Sequence, residues 1–140
     1  MSRENLSAKD YPLAENRADL VRGRRGKSLA DLSLAALERG DVMMEDLRIT
    51  PAALTMQADI ARTEHRDKLA ENFERAAELI DVPQDYLMQV YELLRPGRAR
   101  DRSVLQTVAE TLRATYNAPK MAEFIEEAAE IYDRRGLFKG

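Results

Sequence analysis

Residues 46–98 read DLRITPAALTMQADIARTEHRDKLAENFERAAELIDVPQDYLMQVYELLRPGR, and this stretch decides the fold class. It opens with Thr50-Pro51, a strong helix start, because the threonine hydroxyl can cap exposed amides and proline is tolerated in the first turn. From Pro51 the sequence predicts helix to about Ile80, with a bend near 63–66. The apolar stripe of this helix follows four-three-four spacing: Leu69, Phe73, Ala76 and Ile80.

Helical signals continue on both sides of this stretch. Pro83 begins another helix, which Pro96 and Gly97 end. A short helix over 34–38 precedes the stretch, and two longer helices follow it. Residues expected at the caps of these helices are Ser33, Gly40, Ser103 and Asn117. No two-residue alternation is long enough for a strand. The pattern therefore predicts an all-α chain of about five helices.

The first 27 residues differ from the rest of the chain. They show no helical or strand period, and they carry seven Lys or Arg against four acids. Their net charge of +3 leaves −6 for the remainder of a chain whose total is −3. We expect an extended arm over 1–27, anchored by Tyr11 and Leu13, followed by a helical domain over 28–140.

The composition excludes several classes of protein. The 140 residues are enough for one modest core, and 44% of them are hydrophobic. No cysteine is present, so disulfides, thiol catalysis and thiolate metal sites are excluded. No apolar run resembles a secretory signal or reaches the length of about 20 residues that spans a membrane. The acidic body argues against nucleic acid as the main partner.

Candidate catalytic groups are few. His65 is the only histidine, and charged neighbours surround it without a second histidine to share a metal, which favours a surface or interface position. The acids at 123–130 lie on one helix, whereas a dinuclear site takes carboxylates from several helices. The basic runs 22–27 and 95–102 fall in loops that lack aromatic residues, unlike typical nucleic-acid modules. The chain thus resembles a helical part of a larger assembly.

A set of motifs makes the resemblance specific. Over residues 10–137 the sequence resembles the small subunit of adenosylcobalamin-dependent diol and glycerol dehydratases. The motifs are Asp10-Tyr11-Pro12-Leu13-Ala14, Asp46-Leu47-Arg48-Ile49-Thr50, Gln57-Ala58, Asn72-Phe73-Glu74-Arg75-Ala76-Ala77-Glu78-Leu79, Val82-Pro83 and Tyr91-Glu92-Leu93-Leu94-Arg95-Pro96-Gly97-Arg98. Gly97 stands where an aromatic residue is expected, and the short segment before Asp10 is similar to the glycerol-dehydratase form.

The resemblance implies a role and partners. Enzymes of this kind are dimers of heterotrimers, in which a large barrel-shaped subunit binds substrate and a metal ion. Adenosylcobalamin lies between the large and medium subunits, and the small subunit supplies no catalytic residue. The reaction is the radical dehydration of a 1,2-diol or glycerol to an aldehyde and water. On this basis we expect no catalytic, cofactor or metal residue in this chain, and a cytoplasmic or microcompartment location.

Five residues are candidates for contact with the large subunit: Tyr11, Leu13, Arg48, Arg75 and Arg95. Three other hypotheses stay open at this point. A free-standing helical adaptor or regulator would be stable alone, and a nucleic-acid-binding protein would show salt-dependent affinity for polyanions. An enzyme in its own right would need a metal or His65.

Overall fold

The computed structural model of the chain describes residues 5–138. Within this range it confirms the all-α prediction. The α-helices are α1 (Leu13–Asn16), α2 (Leu34–Arg39), α3 (Pro51–Thr63), α4 (Asp67–Leu79), α5 (Gln84–Leu94), α6 (Arg102–Ala114) and α7 (Pro119–Arg134). Short 3₁₀ helices lie at Ala8–Asp10, Ala18–Leu20, Leu29–Asp31 and Met44–Leu47. The described part has seven α-helices rather than five, because α1 was not expected and the helix predicted from Pro51 to Ile80 is two helices.

The extended arm predicted for residues 1–27 is not confirmed. Residues 8–20 form three short helical turns, and the Tyr11–Pro12 peptide bond between the first two is cis. Leu6 is buried. The contacts of the chain divide it after Ile80 into two units. The division into an arm over 1–27 and a domain over 28–140 stays a prediction.

The first unit contains the antiparallel helical hairpin of α3 and α4. A three-residue turn joins the helices, and its central residue, His65, has a positive φ of 60°. Ala58, Ala61 and Ala70 form the buried contact between the helices, and Phe73 packs against them. Alanine lets two helix backbones approach closely, so a narrow alanine seam holds this hairpin together.

The predicted stripe of α4 is partly wrong. Leu69 is 39% exposed and Ala76 is also exposed, whereas Ala70 is fully buried. The buried face is centred on Ala70 and Phe73 because the closest approach to α3 is made by the smallest side chains. The large side chain of Leu69 is therefore left at the edge of the helix contact.

The second unit contains the antiparallel hairpin of α6 and α7. Leu105, Leu112 and Ile125 are its largest fully buried side chains. Val108 of α6 is buried as well. Tyr132 of α7 donates from its hydroxyl to the carbonyl oxygen of Leu94 at 2.6 Å, which ties α7 to the end of α5.

The predicted caps of α2 are confirmed, whereas the predicted N-cap of α6 is corrected. Ser33 accepts from the amide of Ala36 at 3.1 Å, and Gly40 ends α2 with a φ of 80°. Ser103 is not the cap of α6, because the carboxylate of the preceding Asp101 accepts from its amide at 2.9 Å.

The cap predicted for the last helix is also corrected. Ala118 is the N-cap of α7 and Pro119 occupies the first turn, whereas Asn117 lies outside the helix with a φ of 50°. Asparagine tolerates this left-handed conformation better than most residues, so Asn117 shapes the turn before the helix.

Candidate interaction surface

Large apolar side chains are exposed along one short segment of the first unit. These side chains, which we call the 34–49 surface, are Leu34, Leu37, Met43, Met44, Leu47 and Ile49. Each is 48–75% exposed. Single exposed apolar residues are common in proteins, but such a concentration is typical of an interaction site.

Helix α2 and its end shape the first half of this surface. Ala36 is buried, while Leu34 and Leu37 point outward on the other face of the helix. Beyond Gly40 the amides of Asp41 and Val42 both donate to the carbonyl oxygen of Ala36, at 2.9 and 3.3 Å. Val42 is buried, so the chain is fixed where it leaves the helix.

Asp46 fixes the backbone of the second half of the 34–49 surface. Its Oδ2 accepts from the amide of Met43 at 2.8 Å, and its own amide donates to the carbonyl oxygen of Met43 at 2.9 Å. These bonds close the short helix Met44–Leu47, and Thr50 then caps α3 by accepting from Ala53 at 3.1 Å. The backbone of the surface is therefore held by its own hydrogen bonds.

The basic loop at 22–28 also holds Asp46. Arg25 donates from Nη1 to Oδ2 of Asp46 at 3.0 Å, and the Asp46 side chain is fully buried. Gly23 packs so closely that a Cβ there would lie 2.7 Å from the carbonyl oxygen of Asp46. The Oδ1 atom of Asp46 is buried without a hydrogen-bond partner in the described residues. We call Gly23, Arg25 and Asp46 the 23–46 clamp.

The charges around the surface are paired with two exceptions. Arg39 pairs with Asp41 at 2.9 Å, and Arg24 lies 3.9 Å from Glu45. Within the part of the chain that the structure describes, the exposed side chains of Glu38 and Arg48 make no hydrogen bond or ion pair. A complementary surface would therefore carry a carboxylate for Arg48 and a cation for Glu38.

Tyr11 and Leu13, predicted as contact residues, lie near the start of the first unit. Tyr11 is 60% exposed and lines an open groove of about 480 Å³. Ile60, Leu69 and Phe73 line the same groove. Leu13 begins α1 and is half-buried. The structure thus places Tyr11 over the α3–α4 hairpin, where its ring is accessible to a partner.

The three predicted arginines occupy different surroundings. Arg48 follows the short helix Met44–Leu47 and belongs to the edge of the 34–49 surface. Arg75 is half-buried on α4 and donates to the side-chain oxygen of Asn72. Arg95, in the second unit, donates to both carboxylate oxygens of Glu92, at 3.2 and 3.3 Å. Of these three arginines, Arg48 is the one whose side chain has no hydrogen-bond or ion-pair partner in the described residues.

The described residues show little that is typical of a catalytic centre. His65 is exposed, and no group of three His, Asp or Glu side chains in residues 5–138 could hold a metal ion. The acids with a lowered pKa are helix-capping or ion-paired groups. For example, the hydrogen bond from the Ser103 hydroxyl lowers the pKa of Asp101. None of the described helices has the length and apolar character needed to cross a lipid bilayer.

The contact residues predicted from the sequence include Arg48, at the edge of the 34–49 surface, but none of the apolar side chains that form this surface. A signal was present, since apolar residues are dense over 34–49 although the elements there are too short to bury them all. The periodicity of a six-residue helix is too brief to show which face is exposed. The 23–46 clamp had no sequence signal, because its members are 23 positions apart at most and meet only through folding.

Comparison with known proteins gives a consistent result. A family model described as "Dehydratase small subunit" matches residues 6–139. The chain is 40% identical over 139 residues to the propanediol dehydratase small subunit of Citrobacter freundii, covering 99% of this chain and 80% of the relative. It is 42% identical over 131 residues to the propanediol dehydratase small subunit of Salmonella typhimurium strain LT2, covering 94% of this chain and 75% of the relative.

Proposed function

The chain belongs to the dehydratase small-subunit family, and from this premise we propose that it is the small subunit of an adenosylcobalamin-dependent diol dehydratase. The complex converts 1,2-propanediol or glycerol to an aldehyde and water. The observation that carries the proposal is the identity of 40–42% to two propanediol dehydratase small subunits over nearly the whole chain. Such identity over most of both sequences supports a shared role in the complex.

The role we propose for the chain is structural. It packs on the large catalytic subunit, stabilises it, and contributes no catalytic residue. The exposed apolar side chains of the first unit support this role, because a chain that works alone gains nothing from leaving them in water. The complex is a dimer of heterotrimers with a medium subunit, and it is cytoplasmic or enclosed in a bacterial microcompartment.

The cofactor is assigned to the other subunits. Corrinoids are large and need a deep site, whereas the Tyr11 groove is open and lined mainly by apolar side chains. His65, the only histidine, lies on the exposed turn between α3 and α4. These observations support the proposal that the other subunits hold the corrinoid.

The contact residues proposed from the sequence are Tyr11, Leu13, Arg48, Arg75 and Arg95. Exposure supports Tyr11 and Arg48 most strongly, since a side chain must be accessible before it can contact a partner. Arg75 and Arg95 have intramolecular acceptors, so a partner carboxylate would have to compete with Asn72 or Glu92.

Co-expression with the large and medium subunits from the same genome tests the proposal. We expect affinity capture of the large subunit to recover all three chains, with aldehyde formation that requires added adenosylcobalamin. Omitting this chain should lower the yield or stability of the complex. If the other two subunits are fully active and stable without it, and it elutes alone and folded, the proposal fails and a free-standing helical adaptor becomes the better interpretation.

A further inference from the structure

We infer that the 34–49 surface, with Arg48 at its edge, is a preformed docking surface for an apolar face of the large dehydratase subunit that carries a carboxylate opposite Arg48. The inference rests on the proposed function and deepens it, because it names the surface and the chemistry of its partner. The surface comprises the six apolar side chains over 34–49 that are each about half exposed or more.

The surface is preformed because its backbone is fixed from both sides. Ser33 and Gly40 hold α2, and the 23–46 clamp holds the short helix that follows. A docking segment that is already ordered loses less conformational entropy when it binds. The backbone is fixed although the apolar side chains are exposed to water. A fixed backbone with exposed apolar side chains is expected of a surface that binds another chain.

Charge gives the surface its specificity. Arg39, Arg24 and Arg25 each face an acid within the chain, whereas Arg48 does not face one within the described residues. A guanidinium that meets a carboxylate across an apolar contact loses its hydration but gains a bidentate partner. Arginine is also among the residues that most often dominate the binding energy of an interface.

A larger subunit fits this surface better than a second copy of the chain. The family is one of small subunits, so its members have a different and larger chain to bind. A second copy would present the same cation, Arg48, and the same acid, Glu38, and it would pair them only in one antiparallel arrangement. The oligomeric state of the chain alone distinguishes these occupants.

The test is competitive incorporation. Wild-type and variant full-length chains with different tags are co-expressed with the large and medium subunits, and their ratio in the captured complex is measured by mass spectrometry. We expect Met44→Glu and Arg48→Glu each to be incorporated about tenfold less than wild type, which corresponds to about 1.4 kcal/mol. The charge-retaining variant Arg48→Lys should be incorporated better than Arg48→Glu.

Met88→Glu is the matched control. Met88 is 55% exposed on α5 and Met44 is 75% exposed, so the same change is made at two accessible methionines. Met88→Glu should be incorporated like wild type, and circular dichroism should show equal helix content in all variants. Incorporation of Met44→Glu at the level of Met88→Glu would overturn the inference, and so would equal incorporation of Arg48→Lys and Arg48→Glu.

The capture experiment distinguishes a failure of the docking surface from a failure of the proposed function. If wild-type chain is captured and Met44→Glu is captured equally well, the docking surface is wrong while the subunit role stands. If wild-type chain is never captured, the proposed function fails, and the inference fails with it. A wild-type dimer in sedimentation that Met44→Glu converts to monomer would overturn the inference in favour of a second copy.

Discussion

Asp46 joins two parts of the chain that are distant in sequence. Its buried carboxylate binds the amide of Met43 and the guanidinium of Arg25 through one oxygen, Oδ2. The other oxygen is buried without a partner in the described residues, which is costly for a polar atom. The two hydrogen bonds to Oδ2 nevertheless fix the backbone at Met43 against the loop that carries Arg25.

Replacing Asp46 tests the 23–46 clamp. We expect Asp46→Ala to lower the free energy of unfolding by about 1–3 kcal/mol, because Met43 and Arg25 lose their acceptor. Asp46→Asn keeps one acceptor oxygen and should lose less. Urea titration of the full chain, followed by circular dichroism, measures both. An alanine variant as stable as wild type would show that the clamp contributes nothing to stability.

His65 occupies a backbone conformation that suits glycine. Its φ of 60° is unfavourable for a residue with a Cβ, by about 1–2 kcal/mol. We expect His65→Gly to be more stable than His65→Ala by about 0.5–1 kcal/mol, since both variants lack the imidazole but only glycine relieves the strain. Thermal unfolding of the two variants compares them directly. A more stable alanine variant would contradict the prediction.

At the scale of the element, each unit is organised around one helical hairpin with a charged pair beside its apolar seam. In the first unit Arg62 of α3 pairs with Glu74 of α4. In the second, Arg113 of α6 pairs with Glu126 of α7 at 2.6 Å. Exposed pairs contribute little on their own, so apolar burial supplies most of the stability and the pairs fix the alignment.

Glu126 predicts a pH dependence for the α6–α7 hairpin. The hydrogen bond from Arg113, and then that from Gln106, lower the pKa of Glu126 below its ordinary value of 4.5. A lowered pKa in the folded state stabilises the fold above pH 4.5, and this contribution is lost as the pH falls through the folded-state pKa.

We therefore expect Glu126→Gln to reduce the dependence of stability on pH below 4.5. Unfolding curves over a series of acidic pH values measure this effect. The control is Glu127→Gln, which makes the same charge change on α7 at an exposed acid. Identical pH profiles for the two variants would argue against the Arg113 pair as the cause.

At the scale of the whole molecule, exposed apolar side chains occur in both units. In the first unit they include Tyr11 and the 34–49 surface, and in the second they include Met88 and Tyr91. In the proposed complex, Tyr11 and the 34–49 surface are covered by a partner, whereas Met88 stays accessible. The structural role proposed for the chain accounts for this feature without invoking any chemistry in the chain itself.

Tyr11 and Leu13 give a test of assembly that is separate from the 34–49 surface. We expect the double variant Tyr11→Ala/Leu13→Ala to weaken incorporation into the complex about tenfold, because a partner loses contact with the ring above the α3–α4 groove. Aldehyde turnover per assembled complex should not change. Lys9→Ala/Glu15→Ala, at exposed positions nearby, is the control. Normal assembly of the Tyr11/Leu13 variant would remove both residues from the interface.

Much of the secondary structure was predictable from local signals. The caps at Ser33 and Thr50, the helix starts near Pro51 and Pro83, and the end of α2 at Gly40 each depend on neighbours within about one helical turn. The family was also recognisable, since its motifs are contiguous runs of residues. The sequence by itself therefore determined the all-α fold class and the relationship to dehydratase small subunits. It also determined most of the helix boundaries that precede α6.

Only the tertiary structure decided which faces are covered. Periodicity predicted an apolar stripe through Leu69 and Ala76, but the close approach of α3 buries Ala70 instead. The exposure of Met44 depends in the same way on the 23–46 clamp, which joins residues far apart in the sequence. Burial is a property of pairs of elements, so a pattern within one element cannot specify it.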